Sequence, residues 1–127
     1  MNAITREWVD KAEGDFRLAH LALEAVDDPI PEGACFHAQQ CAEKYLKAFL
    51  QEQGEMVPRS HTLIPLLTTC LPHDANFEDL RDYLLDLENY AVAVRYPGVI
   101  VSVEMGKSAL EAAAQVRQFL RHKLSLA

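Results

Sequence analysis

The sequence predicts an all-α fold, an up-and-down antiparallel bundle of four long helices plus one short helix, on three observations. Apolar residues recur with a period near 3.6 along most of the chain. Clusters of proline and glycine, DDPIPEG (27–33) and RYPG (95–98), interrupt that period. No stretch reads as a strand pair, since VIV (99–101) alone is too short to build a sheet. With 127 residues and no internal repeat, the chain reads as one domain, 1–127, large enough to bury a core without staples.

The first helix is expected from about Thr5 to Val26, with Thr5 as N-cap and Ile4, Trp8, Ala12, Ala19, Ala22, Leu23 and Val26 on one face. Asp15 falls in the middle of that face. The second helix is expected from about Glu32 to Gln53, closed by Gly54. A short third helix fits Thr62 to Leu71, capped by Thr62, with Pro65 in the first turn where a missing N–H is tolerated. The fourth should cover Phe77 to Val94, burying Leu80, Tyr83, Leu84, Leu87, Tyr90, Ala91 and Val94. Ser102 caps the fifth, which runs to about Leu124 and buries Met105, Ala109, Ala112, Ala113, Val116 and Leu120. Short connections favour antiparallel neighbours.

Composition narrows the function classes. Half the residues are apolar and 24% charged, ordinary values for a globular chain. No apolar run approaches the roughly 18 to 20 residues of a membrane span, and MNAITREWVD lacks the pattern of a signal peptide. A cytoplasmic location and reduced thiols are therefore expected for the three cysteines. Cys35 and Cys41, six apart on one helix, point in different directions. A net charge of −7 opposes wholesale wrapping of nucleic acid but leaves room for a local basic pocket.

The stretch ACFHAQQCAEKYLKAFL (34–50) carries the most chemistry. With Cys35 at zero on a helical wheel, Ala38, Cys41, Ala42, Tyr45, Leu46, Ala48 and Phe49 span an arc of about 160°. His37, Gln40, Lys44 and Lys47 form a stripe about 80° wide opposite it, with Glu43 alongside. One reading is a solvated face with Glu43–Lys47 as an i,i+4 pair. The other is an anion site, in which two ammonium groups, an imidazole and an amide converge on a phosphate. Asp15 bears on the choice: a carboxylate on an apolar helix face needs a partner, and Lys44, His37 and Arg95 are the candidate cations. Arg59 and His61, just before the third helix, sit where backbone N–H groups favour anions, and could extend such a pocket. His37 and Cys41 at i,i+4 lack further ligands, so no metal site and no cofactor are expected.

Four segments together carry a family resemblance: Trp8, Ala12 and Asp15 as W-x3-A-x2-D, then residues 34–50, then PRSHTLIPLL (58–67), then AVAVRYP (91–97). In this combination the chain resembles the HEPN domain, a family named for its occurrence in higher eukaryotes and prokaryotes and for suspected nucleotide binding. The resemblance implies a helical bundle that commonly pairs as a homodimer. It also implies a frequent partner, a minimal nucleotidyltransferase, in two-part toxin–antitoxin or nucleotidyl-transfer systems. Some HEPN proteins are metal-independent ribonucleases whose motif is an Arg, four to six residues, then a His. Here the Arg matches Arg95, but Ile100, Val101 and Ser102 stand where the His would fall. The spacing recurs at Arg117 and His122, which a regular helix separates by about 140°. The signature of the transferase itself, Gly-Ser before paired acids, is missing, so that chemistry would come from a partner chain.

The expected function is thus a non-catalytic subunit that binds a nucleotide or RNA phosphate through His37, Gln40, Lys44, Lys47 and Arg95. Tyr96 would stack on a base, and Pro97 would fix the turn presenting both. Asp15, Arg59 and His61 would be accessory. Two alternatives stand beside it: a ribonuclease toxin pairing Arg95 with His37 or His61 as base, and a structural homodimer whose stripe is only solvated. Phe36, Leu85 and Val92, apolar residues outside the main faces, favour dimerisation.

Overall fold

The computed structural model describes residues 1–127 and contains only helical elements and their connections. Helix α1 spans Ala3–Glu24 and opens on Asn2, whose side chain accepts a hydrogen bond from the Thr5 N–H at 2.8 Å. Asn2 therefore takes the capping role expected of Thr5, which is buried in the first turn instead. Helix α2 (Pro31–Glu52) starts on a proline, whose missing N–H costs nothing there, and is followed by Gly54 at φ +76°. Helix α3 is Leu63–Cys70. A 3-10 turn, Ala75–Leu80, precedes α4 (Arg81–Val94), in place of the one continuous α-helix that the sequence predicts from Phe77. The Asp74 side chain accepts from the Asn76 N–H at 2.9 Å, which favours the tighter turn. Helix α5 (Val103–Lys123) is capped by Ser102, as the sequence predicts, through a 3.1 Å bond from the Met105 N–H.

Contacts at the helix ends fix the directions. The Ile30 N–H donates to the Ala22 carbonyl at one end of the α1–α2 hairpin, and the Asn2 N–H reaches Glu52 at the other. Phe77 stacks on Phe49 near the end of α2, so α4 runs back along α2. Gly106 lies against Pro31, while Arg121 reaches Tyr45, so α5 runs parallel to α2. Helices α1, α2, α4 and α5 thus alternate up and down, and α2 packs against all four other helices.

That central position explains the main differences from the sequence expectation. Tyr45, Leu46 and Leu50 of α2 are fully buried, as are Leu66, Leu67, Phe77, Leu84, Val116 and Leu120 in the same core. Alanines 12, 19, 38, 42, 109 and 113 let the backbones approach closely. Gln39, Glu43 and Lys47 are buried too, so the covered arc of α2 widens to about 260°. On α1 the buried face is turned toward Thr5 and Val9: Ile4 is exposed, and Val26 lies beyond the helix end and is 95% exposed. Asp15 therefore sits at the margin of the α1 face rather than its centre. On α4, Leu84 and Leu87 are buried, while Tyr83 is exposed at the rim and Tyr90, Ala91 and Val94 are only partly covered.

Candidate functional site

Asp15, only 7% exposed, is where α1 and α2 meet in charge. Its Oδ1 lies 2.8 Å from His37 Nδ1, and its Oδ2 accepts from Lys44 Nζ at 2.5 Å. His37 and Lys44 are seven residues apart, two turns of helix, which puts them on one face. Of the three candidate cations, the carboxylate takes these two and not Arg95. The partners are not fully enclosed: the side chains of His37 and Lys44 remain 28% and 22% exposed. With Asp15 accepting from Nδ1, the Nε2 edge of His37 is left for another group. Phe36 stands edge-on to the imidazole at 5.1 Å.

The neighbouring strip of α2 closes inward. Gln40 donates to the Gln39 side-chain oxygen at 2.8 Å, and Gln39 donates to the His61 backbone carbonyl at 2.8 Å. Lys47 pairs with Glu43 at 3.2 Å and lies 5.5 Å from the centroid of the Trp8 ring, with its side chain 6% exposed. The sequence places Lys47 on an open stripe. In the fold, Trp8 and the packing around α2 cover it, and its charge is answered internally. His61 reaches the Glu43 carboxylate at 3.5 Å, but its own side chain is 78% exposed. The other Glu43 oxygen is buried without a hydrogen-bond partner. Arg59 is exposed and makes no ion pair. The start of α3 is closed by Glu88 of α4, whose Oε1 accepts from the N–H groups of both Leu63 and Ile64; Thr62, the expected cap, makes no side-chain cap bond.

Arg95 is the residue at which α4 ends, and Tyr96, Pro97 and Gly98 after it are exposed. Gly98 has φ +88°, the left-handed conformation the turn requires. The Arg95 guanidinium makes no ion pair within the chain, so its charge is uncommitted. Glu88 is level with the α3 start that Gln39 touches through His61, and Arg95 lies seven residues further, about 10 Å of helix. That direction leads toward the end of α2 that carries Phe36 and His37. No hydrogen bond joins Arg95 to the Asp15 trio.

A second polar cluster lies outside the residues that the sequence singles out. Glu13 receives both Nε and Nη2 of Arg117 at 2.7 Å and the Tyr45 hydroxyl at 2.5 Å. Arg121 donates to the Tyr45 hydroxyl at 3.2 Å. The Arg117 fork holds the Glu13 carboxyl below the usual carboxylate range, while burial, and then the bond to Glu13, push the Tyr45 phenol up. The signal in the sequence is Arg117 and Arg121 at i,i+4, flanking the buried Val116 and Leu120. Arg117 and His122, though separated around the helix, both line an open cleft of about 850 Å³ between the start of α4 and the end of α5. None of the Asp15 trio lines this cleft.

These features define a class first: an antiparallel helical bundle whose central helix carries buried polar residues and presents an anchored His–Lys pair, with an Arg-Tyr-Pro turn closing the fourth helix. Residues 5–123 match the family model described as the HEPN domain, and the chain belongs to that family. Its fold is also similar to the crystal structure of TT1696 from Thermus thermophilus, with a TM-score of 0.79 and 30% sequence identity. The similarity covers 94% of this chain and 97% of that one. Comparison with curated proteins found no match. No helix is long and apolar enough to cross a membrane.

Proposed function

We propose that the chain is a non-catalytic HEPN subunit that binds a nucleotide or RNA phosphate through His37, Lys44 and Arg95, with Gln40 at the edge of the site. Tyr96 stacks on the base, and Pro97 holds the turn. The observation that carries this reading is the Asp15 anchor. A buried carboxylate fixes an imidazole and an ammonium two turns apart on α2 while both side chains stay partly exposed, which restricts their freedom before any ligand arrives. Asp15 neutralises one positive charge, so binding depends on Arg95 to supply the uncommitted one. Lys47 contributes packing and an internal ion pair rather than a ligand contact.

The subunit acts as a homodimer with a minimal nucleotidyltransferase supplying any transfer chemistry. Support for pairing comes from exposed apolar residues at one end of the bundle: Ile30, Phe36, Val92, Tyr96, Val99 and Ile100. The contact of Gly106 with Leu23 and Pro31 places the α1–α2 and α4–α5 connections at that same end.

Equilibrium titration with ATP and with a short single-stranded RNA tests the reading. Saturable binding that weakens at least about tenfold in Arg95→Ala, the worth of one lost charged contact, supports it. Absence of binding in wild type and variant alike leaves only a structural dimer. One observation favours a second reading. The Asp15–His37 contact is the geometry that orients an imidazole for proton transfer, so the ribonuclease alternative has a candidate base in His37. Incubation with RNA in EDTA separates the two: cleavage that disappears in both Arg95→Ala and His37→Gln makes the chain an enzyme.

A further inference from the structure

We propose that the cleft between the start of α4 and the end of α5 binds a small molecule carrying an oxyanion, a phosphate monoester or a carboxylate, on an apolar body. The inference is independent of the face around His37.

One wall of the cleft is formed by Arg117 and Arg121. Their internal bonds use only part of each guanidinium. Arg117 gives Nε and Nη2 to Glu13; Arg121 gives Nη1 to the Tyr45 hydroxyl and Nε to the Ala127 carbonyl. Nη1 of Arg117 and Nη2 of Arg121 have no hydrogen-bond acceptor within the chain. An inter-helix tie accounts for the bonded edges of the two forks. It leaves one nitrogen of each fork uncommitted on residues that line a concave space.

The geometry suits an oxyanion for two reasons. Glu13 and Tyr45 immobilise both arginines, so little side-chain freedom is lost when a ligand docks. Two formal positive charges stand against Glu13 at this wall and Asp79 elsewhere on the lining, so the attraction comes not from a net charge but from the planar N–H forks, which match the spacing of carboxylate and phosphate oxygens. Leu80, Tyr83, Phe119 and Leu126 supply the apolar surface for the rest of the ligand. A volume of about 850 Å³ lies within the range of small-molecule sites. Asp79 also lines the cleft and sets polarity: it repels a second negative charge and favours a hydroxyl or ammonium at that end of the ligand.

The test uses the whole chain, with phenyl phosphate, benzoate and inorganic phosphate as probes, followed by calorimetry and by amide NMR shifts. Phenyl phosphate or benzoate is expected to bind saturably and more tightly than inorganic phosphate. Shifts should concentrate at residues 117–122 and at Tyr83; the tighter probe identifies the oxyanion. Arg121→Lys keeps the charge and removes the fork, and is expected to weaken binding about tenfold, the worth of one charge-assisted contact. Should Arg121→Lys fail to fold by circular dichroism, Tyr83→Ala, at an exposed wall position, is the second variant and should weaken the same probe severalfold. No saturable binding at millimolar probe, unchanged affinity in the folded variant, or shifts confined to other surfaces would each overturn the proposal.

Discussion

Replacing Asp15 by alanine removes the one carboxylate that Lys44 and His37 share. Each bond it receives is charge-assisted in the sense that the acceptor is ionised, and such bonds contribute about 1.5 to 3 kcal/mol each. Two terms reduce the sum. Asp15 is 7% exposed, so its removal relieves a desolvation penalty. Lys44 and His37 are partly exposed, so once released they return to water instead of remaining buried and unpaired. The net loss should be about 2 kcal/mol, below the roughly 3 to 5 kcal/mol that follows breaking an enclosed pair. For 127 residues, an unfolding entropy of about 2.1 cal/mol/K per residue converts this into a fall in Tm of about 7 °C. Urea unfolding followed by fluorescence of Trp8, the single tryptophan, gives the free energy directly. Asp15→Asn preserves the volume and isolates the charge, and a cycle with Lys44→Ala should show coupling of about 1 kcal/mol. A loss under about 0.5 kcal/mol with no coupling would refute the reasoning, since that is the size of an ordinary surface change.

Three further outcomes follow from the same contacts. Glu13 has a depressed folded-state pKa, so its contribution to stability is present above the unfolded value near 4.5 and is lost as pH falls through the folded value. The Tm gap between wild type and Glu13→Gln should therefore be widest near neutral pH and shrink as the solution is acidified below that value; a constant gap contradicts this. A methyl group at Gly106 would sit 2.9 Å from Leu23 Cδ2 and 3.3 Å from Pro31 Cα, so Gly106→Val should cost about 1 to 3 kcal/mol in urea unfolding despite improved helix propensity. Glu88→Ala strips the first turn of α3 of its acceptor, and chemical unfolding should show a loss of about 1 to 2 kcal/mol, the usual worth of a helix cap.

The helix count and order are legible in the sequence because proline, glycine and the 3.6-residue period act locally. Ser102 marks a helix start for the same reason, and the prolines of DDPIPEG mark the break before α2. What is not legible depends on neighbours. Thr5 is a good capping residue by type, but Asn2 stands earlier and takes the role. Lys47 belongs to the polar stripe on an isolated wheel, yet α2 is packed by four helices, and Trp8 and Glu43 enclose it. The pairing of Asp15 with His37 and Lys44 can be anticipated, since an acid near an apolar face needs cations and the facing helix offers them. The Glu13–Tyr45–Arg117–Arg121 cluster cannot, because it joins three helices, with Glu13 and Arg117 104 positions apart.

The most direct measurement of the central claim is a two-dimensional NMR titration of isotope-labelled protein with ATP, observing the His37 imidazole alongside backbone amides 36–45 and the Arg95–Gly98 turn. Concerted, saturable shifts at His37, Lys44 and Arg95 with one dissociation constant are the predicted result. Binding that leaves all three unmoved would contradict the account, and the HEPN bundle would then stand without this site.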